Sequence, residues 1–411
     1  MIQFRPFKGI RPAKTKAASV ATKNIDYYDS AEIDYELKNN PDSFFKVIEP
    51  ALLGDDEASL VKVRENLETF IKEKILLKDP SSYYIYEQED AKHGKTLGII
   101  GVVSLDDYKN GLIKRHENTL KERQEKFTRY LKTINLQPDP VLLTFPENSN
   151  IEMIISMITV KTPCLEFSGS DQRTHRLWQV KDRLLMQQLK FAIEKLPALY
   201  IADGHHRMES SVQYTEHRRA EEPDFFGGEM FNYTLAVIIP GNFLKIYDYN
   251  RLVKDLNGMT EEEFLEKLKT VFSVIEKKSP YYPSSKHHLS MYLNGKFYAL
   301  YVNHSYRGVP KALGELDTYL WEEHIMKPIL GIEDSRESDK VEFVKGTGDI
   351  NGIMKMKELV DKGEYKVAFG FYPIALKDLK LVADEDKTMP PKSTYIYPKF
   401  LSALTMLDLN D

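Results

Sequence analysis

The densest chemistry in the chain is the run Asp203-Gly204-His205-His206-Arg207, which follows the apolar stretch Ala198-Leu199-Tyr200-Ile201-Ala202. A strand that stops at a glycine and enters a helix leaves the first N–H groups of that helix without intrahelical partners, and such groups form a pocket for an anion. Gly204 lets the backbone approach a ligand with no Cβ in the way. Arg207 adds a planar fork suited to phosphate or carboxylate. Asp203, at the carboxyl end of the strand, is placed to hold a metal ion or accept a proton. His205 and His206 can donate to phosphate oxygens or exchange protons near neutral pH. Neighbouring helical residues point about 100° apart, which argues against both histidines ligating one metal. The plainer alternative is that Asp203 caps the helix and Arg207 pairs with Glu209 or another acid.

Three other polar segments carry candidate groups. His116-Glu117-Asn118-Thr119 falls short of a zinc-protease helix, because Leu120 stands where a second histidine is needed. Glu117 remains a candidate base, against the alternative of a solvated helical face. In Arg173-Thr174-His175-Arg176, His175 and Arg176 form either a basic edge facing a ligand or a polar turn. Near the end, Met389-Pro390-Pro391 stiffens a loop that presents Lys392, Ser393 and Thr394, a phosphate or carboxylate clamp or a surface connector. If the site is composite, His175 and Arg176, or Lys392 and Thr394, reach the turn at Gly204. Other matches fail: Glu89 replaces the first glycine of a phosphate loop ending at Gly94-Lys95-Thr96, and Gly346, Gly348 and Gly352 miss the dinucleotide spacing by one residue.

The elements that must position these groups alternate between strand and helix. Apolar periodicity predicts helix over 41–75, strands at 83–86 and 98–105, and a charged amphipathic helix over 111–134. Two β-rich pieces are expected at 141–145 and 153–160, a strand at 176–180, a helix at 182–195, and the strand-turn-helix through Asp203. A loop follows at 216–228, then a strand at 233–239. The second half predicts helices at 260–272, 315–329 and 351–361, a hairpin at 288–303 around Asn294-Gly295, and a strand at 365–371. The division is set at 1–250, an α+β domain carrying the turn, and 251–411, an α/β domain carrying the Lys392 loop.

A chain of 411 residues with 42% hydrophobic and 29% charged residues buries a core without a staple. The single cysteine, Cys164, excludes an intrachain disulfide and a cysteine-built zinc site, fits a reducing compartment, and reads as buried and inert. A net charge of −5 argues against a dedicated nucleic-acid binder. No apolar run approaches the roughly 20 residues that span a bilayer. The expected setting is the cytoplasm, with a small-molecule substrate, no membrane, and the oligomeric state open.

Taken together, several segments resemble the DUF1015 family of bacteria and archaea. They are Phe4 to Pro12, Asn40-Pro41-Asp42-Ser43-Phe44, His116 to Thr119, Thr174-His175-Arg176-Leu177-Trp178, Ala202 to Arg207, Tyr249-Asn250-Arg251, Pro328 to Ile332 and Met389 to Lys399. Where such proteins carry Pro-Tyr-Asp-Val near the N-terminus, this chain has Asn24-Ile25-Asp26-Tyr27-Tyr28-Asp29. The Asp203–Arg207 turn is also similar to the phosphate-binding turn of the ParB/sulfiredoxin superfamily, which includes free-serine kinases. That resemblance implies an α+β fold built on a mixed-sheet ParB/sulfiredoxin-like core with additional α/β segments. It also implies a nucleotide-dependent phosphotransferase acting on a small hydroxylated metabolite, with Mg²⁺ and ATP or ADP. Gly204, His205, His206 and Arg207 would then hold phosphates, Asp203 would sit beside the transferred group as the metal-binding acid, and Glu117 would activate the acceptor. A non-catalytic nucleotide or metabolite sensor, and a phosphate-ester hydrolase or nuclease, remain as alternatives.

Overall fold

Short runs of β-branched and aromatic residues, buried on one or both faces, build the sheets, and amphipathic helices cover them. The computed structural model describes residues 1–53, 56–308 and 310–411. The chain divides into two units. The first comprises residues 1–114, 119–244 and 398–411, and the second comprises 115–118 and 245–397. The expected division at 250/251 falls inside a strand, Tyr249–Val253.

In the first unit the sheet strands, in chain order, are β1 (Phe4–Arg5), β2 (Tyr83–Asp90), β3 (Gly94–Ser104), β4 (Ile113–Lys114), β5 (Val141–Phe145), β6 (Leu165–Ser168), β7 (Thr174–Val180), β8 (Leu199–Asp203) and β9 (Tyr233–Pro240). Their spatial order is β4-β8-β5-β9-β3-β2-β7-β6, with β1 beside β3. The β8–β4 and β9–β5 pairs are parallel and the others antiparallel, so this is a large mixed sheet.

The longer helices that cover this sheet or flank the turn include α1 (Phe44–Leu53), α2 (Glu57–Lys72), α3 (Lys121–Ile134), α4 (Ser149–Thr159), α5 (Arg183–Glu194) and α6 (His205–Glu221). Ile151, Ile154, Ile155 and Ile158 of α4, with Leu185, Leu189 and Ile193 of α5, close over Tyr83, Ile85, Ile99, Val141, Leu143, Leu199, Ile201, Ala236 and Ile238. Residues 398–411 contribute to the same unit: Leu407–Asp408 pairs with Leu136–Gln137, and single bridges join Met406 to Ile10 and Ser402 to Thr22.

Four expected elements differ. The helix expected over 41–75 is two, Phe44–Leu53 and Glu57–Lys72, the second opening on a cap from Asp56. Residues 153–160 were expected to be β-rich and form most of α4 instead. Their isoleucines recur at helical spacing and bury one face, and Asn148 caps the first turn, so covering the sheet outweighs β-branched propensity. The helix expected from 111 begins at Lys121, because Ile113 and Lys114 are held extended against Leu199 and Tyr200 at the sheet edge. The loop expected from 216 begins after Glu221. The buried Thr215 hydroxyl donates to the Phe231 carbonyl, and Arg219 forks onto Asp106, which carries α6 further.

The second unit holds an antiparallel six-stranded sheet of β10 (Tyr249–Val253), β11 (Phe272–Lys277), β12 (His288–Leu293), β13 (Lys296–Val302), β14 (Val341–Lys345) and β15 (Val367–Gly370). The order is β11-β13-β12-β15-β10-β14. The β12–β13 hairpin turns on Asn294 and Gly295, both at positive φ, as its dipeptide demands. Helix α7 (Glu261–Lys269) opens on a capping box between Thr260 and Glu263. Helix α8 (Asp317–Trp321) passes into a π-helical turn over Glu322–Met326, and α9 (Ile350–Asp361) follows β14. Among the described residues, no helix is long and apolar enough to cross a membrane.

Candidate functional site

Strand β8 is buried from Leu199 to Ala202 and emerges at Asp203. Its pairing with β5 shifts register between Ile201 and Asp203. Gly204 then adopts φ 96° and ψ 30°, and α6 starts with no side chain capping its first turn. A Cβ at this position would lie 3.1 Å from the Arg207 guanidinium, so the glycine answers both a backbone and a space requirement.

Asp203 sits between two cations. Lys399 donates to its Oδ1 at 2.8 Å, and Arg207 donates to its Oδ2 at 3.0 Å. Arg207 also donates to the Pro140 carbonyl at 2.7 Å, which fixes the plane of its fork. Burial pushes the Asp203 carboxyl up, but Lys399 and then Arg207 outweigh that and hold it near about 2. It is therefore ionised at neutral pH. The Lys399 backbone is itself tied down, because its carbonyl accepts from Gln88 Nε2 at 2.9 Å and the adjacent Phe400 ring packs on Tyr86 at 5.3 Å.

The two histidines of the turn take different roles. His205 is buried beneath the first turn of α6. His206 is half-buried, and its Nε2 accepts the Leu120 N–H at 3.0 Å, which places a ring proton on Nδ1. Behind it, Ser210 donates to the Gln124 carbonyl and Gln213 to the Gln124 side chain, locking α6 against α3.

His175 and Arg176 lie on β7, with four strands between it and β8, and the structure does not bring them beside the turn. His175 is fully buried: its Nδ1 meets the Tyr86 hydroxyl at 2.8 Å and its Nε2 meets Asp171 at 2.9 Å. Arg176 bonds Glu166 at 2.8 Å, Glu87 at 2.5 Å and Glu89 at 2.6 Å.

Glu117, Lys392, Ser393 and Thr394 belong to the second unit. There the 115–118 segment is strapped to the Met389 loop, with Met389 N–H donating to the His116 carbonyl at 2.8 Å and Asn118 donating to Thr388 at 3.1 Å. Ser393 is buried and spends its hydroxyl on the Pro390 carbonyl and Thr318. Lys392 is exposed, with its ammonium 5.9 Å over the Tyr249 ring, and Thr394 is half-buried. Arg251 anchors this loop from below, donating to the Pro391 carbonyl at 3.1 Å. Its guanidinium lies among Trp321, Phe343 and Phe371, and burial lowers it to about 10.

Two partners of the turn, Lys399 and Gln88, were not singled out from sequence. Lys399 stands in the Tyr395–Lys399 block, but no local spacing links it to an acid 196 residues away. Cys164 is half-buried rather than buried. Its thiol donates to the Leu177 carbonyl, burial pushes it up, and it lines a cleft of about 290 Å³ with Ile158, Trp178 and Leu185, to which the Asp203 turn does not contribute.

The chain belongs to the family described as "Protein of unknown function (DUF1015)", whose model matches residues 4–319. No curated protein sequence matches it. Among solved structures, a free serine kinase variant in complex with AMP is similar over 73% of this chain and 88% of its own, at 15% identity and a TM-score of 0.39. A conserved hypothetical protein from Pyrococcus furiosus covers 73% and 90% at 15% identity and TM-score 0.36. C-terminally truncated SbnI from Staphylococcus aureus covers 72% and 82% at 12% identity and TM-score 0.38.

Proposed function

We propose that the Asp203–Arg207 turn binds the phosphates of ATP or ADP, and that the protein is a phosphotransferase acting on a small hydroxylated metabolite. The observation that carries this reading is the start of α6: an uncapped 17-residue helix entered through Gly204 at φ 96°, flanked by Lys399 and Arg207. A helix N-terminus whose first turn no side chain caps, with two cations beside it, suits a polyanion. Phosphoryl transfer asks for little else, since its catalysis is mostly positioning and charge neutralisation.

Arg207 and Lys399 would exchange part of their hold on Asp203 for phosphate oxygens. Asp203, ionised at neutral pH, supplies the hard oxygen donor that Mg²⁺ takes alongside phosphates and water. Among the described residues no cluster of three metal-ligating side chains exists, so the ion would arrive with the nucleotide. His206 would serve by fixing the entry to α3 through Leu120, and Gly204 by leaving the approach clear. A non-catalytic nucleotide sensor is favoured by one feature: both oxygens of Asp203 already bind cations, which leaves it a weak base.

Calorimetric titration with ATP and ADP plus Mg²⁺ tests the reading, followed by a phosphate-transfer assay over hydroxylated acceptors. Arg207→Ala removes a charge-assisted hydrogen bond and is expected to weaken binding by about 1.5–3 kcal/mol. Asp203→Ala is expected to cut turnover more than affinity. Absence of nucleotide binding by the unaltered protein at millimolar concentration ends the reading. Binding without turnover leaves the sensor.

A further inference from the structure

Helices α4 and α5 lie together on the same face of the large sheet and bury Ile151, Ile154, Ile155, Ile158, Leu185, Leu189 and Ile193 beneath them. The end of α4 meets the start of α5 across the cleft lined by Ile158, Lys161, Asp182 and Leu185. Their outer stripes therefore form one continuous surface. On α4 that stripe is Met153, Ser156, Met157 and Val160, the last at its C-cap, and on α5 it is Leu184, Gln187, Gln188 and Phe191, all exposed.

None of these eight residues is charged; the charged residues exposed on α5, Arg183 and Lys190, lie to one side of them, and Lys190 pairs with Glu194 at 3.7 Å. The contrast with α7 is direct, since its outer residues include Glu262, Glu263, Glu266, Lys267 and Lys269. A solvated helix face is ordinarily charged, and a flat uncharged one with Met, Leu, Val and Phe marks an interaction surface.

We propose that this two-helix face is where two copies of the chain associate in a two-fold symmetric dimer. The five apolar side chains are 49–84% exposed, which amounts to roughly 600 Å², the upper end of what monomers leave open. Two such faces together remove about 1,200 Å² from water, the lower bound of a stable specific interface.

The charge pattern selects the occupant. Within the stripe a nucleic acid or a charged peptide finds no opposite charge, and beside it only Arg183 and the Glu194-paired Lys190 of α5. A second copy brings the same neutral stripe, and Ser156, Gln187 and Gln188 carry both donors and acceptors, so those of one copy can pair with those of the other. A two-fold contact uses up the patch on both copies and closes the assembly.

Sedimentation of the full chain over a concentration series tests this. The unaltered protein is expected at twice its 47.6 kDa, about 95 kDa, at tens of micromolar. Met157→Glu and Phe191→Glu each bury an unpaired carboxylate from both copies in the apolar contact and are expected to raise the dimer dissociation constant on the order of a hundredfold. Both should keep the circular-dichroism spectrum and the melting temperature of the folded chain, since both side chains are exposed. Lys126→Glu on α3, away from the face, is expected to leave the dimer intact. A mass of 47.6 kDa for the unaltered protein at about 100 μM overturns the proposal and leaves the face to another partner. A dimer that persists in both glutamate variants, or an open series of larger species, overturns it equally.

Discussion

Replacing Gly204 with alanine separates a strained backbone from a blocked site. Two penalties are expected. The first is conformational: φ 96° lies beyond the left-handed region that L-residues reach, which costs about 1–2 kcal/mol. The second is steric, because the new methyl would sit 3.1 Å from Nε and Nη2 of Arg207. That guanidinium cannot swing aside freely, being held at 2.7 Å by the Pro140 carbonyl and at 3.0 Å by Asp203. Moving it weakens one or two charge-assisted bonds, about 1–2 kcal/mol more after allowing for its partial exposure.

The expected total is about 2–4 kcal/mol. Gly227→Ala supplies the reference, since Gly227 has φ 80° with nothing within 4 Å of its Cβ position, and should show only the backbone cost. Urea unfolding reports the difference, read by Trp178 in a Trp321→Phe background so that the signal belongs to the first unit. Adding Arg207→Ala to Gly204→Ala should recover the steric part, because it removes the guanidinium that the new methyl would displace. If Gly204→Ala costs no more than Gly227→Ala, or if the two changes at 204 and 207 simply add, the account of this turn is wrong.

Two further outcomes follow from buried charge. Burial pushes Asp317 up to about 8, against the opposing hydrogen bond from the His287 N–H and the charge of Lys286. An acid whose folded value exceeds its unfolded one binds its proton more tightly when folded, so its contribution is full below about pH 4 and is lost as pH rises towards 8. Asp317→Asn should flatten the fall in unfolding free energy between pH 5 and 8, and an unchanged pH profile would refute the burial argument. Arg176→Ala leaves the buried Glu87 carboxylate, among the described residues, with Lys95 alone at 3.7 Å, for an expected loss of about 1–3 kcal/mol in urea unfolding. A loss under about 0.5 kcal/mol would mean that the three-acid bridge is solvated and inert.

Local chemistry alone marked the Asn294-Gly295 hairpin, the buried strand ending at Asp203, and the helix that follows Gly204, because turn residues and apolar periodicity act over a few neighbours. The same locality explains what it marked wrongly. The isoleucines of 153–158 suit a strand by propensity and a helix by spacing, and only a sheet face in need of a cover chose the helix. The charged run from Lys114 to Arg123 has a helical pattern, yet Ile113 and Lys114 extend because Leu199 and Tyr200 offer an open sheet edge. His175 and Arg176 have the types of a ligand site, but Tyr86, Asp171 and three glutamates claim them. Lys399 reaches Asp203 because residues 398–411 join the first unit, where Gln88 and Tyr86 hold the chain in place. The residue types at the turn were thus readable from the chain itself. Which cations neutralise its acid, and that four strands lie between it and His175 and Arg176, are set by contacts between residues far apart in sequence, whose closure depends on the whole sheet and not on any local pattern.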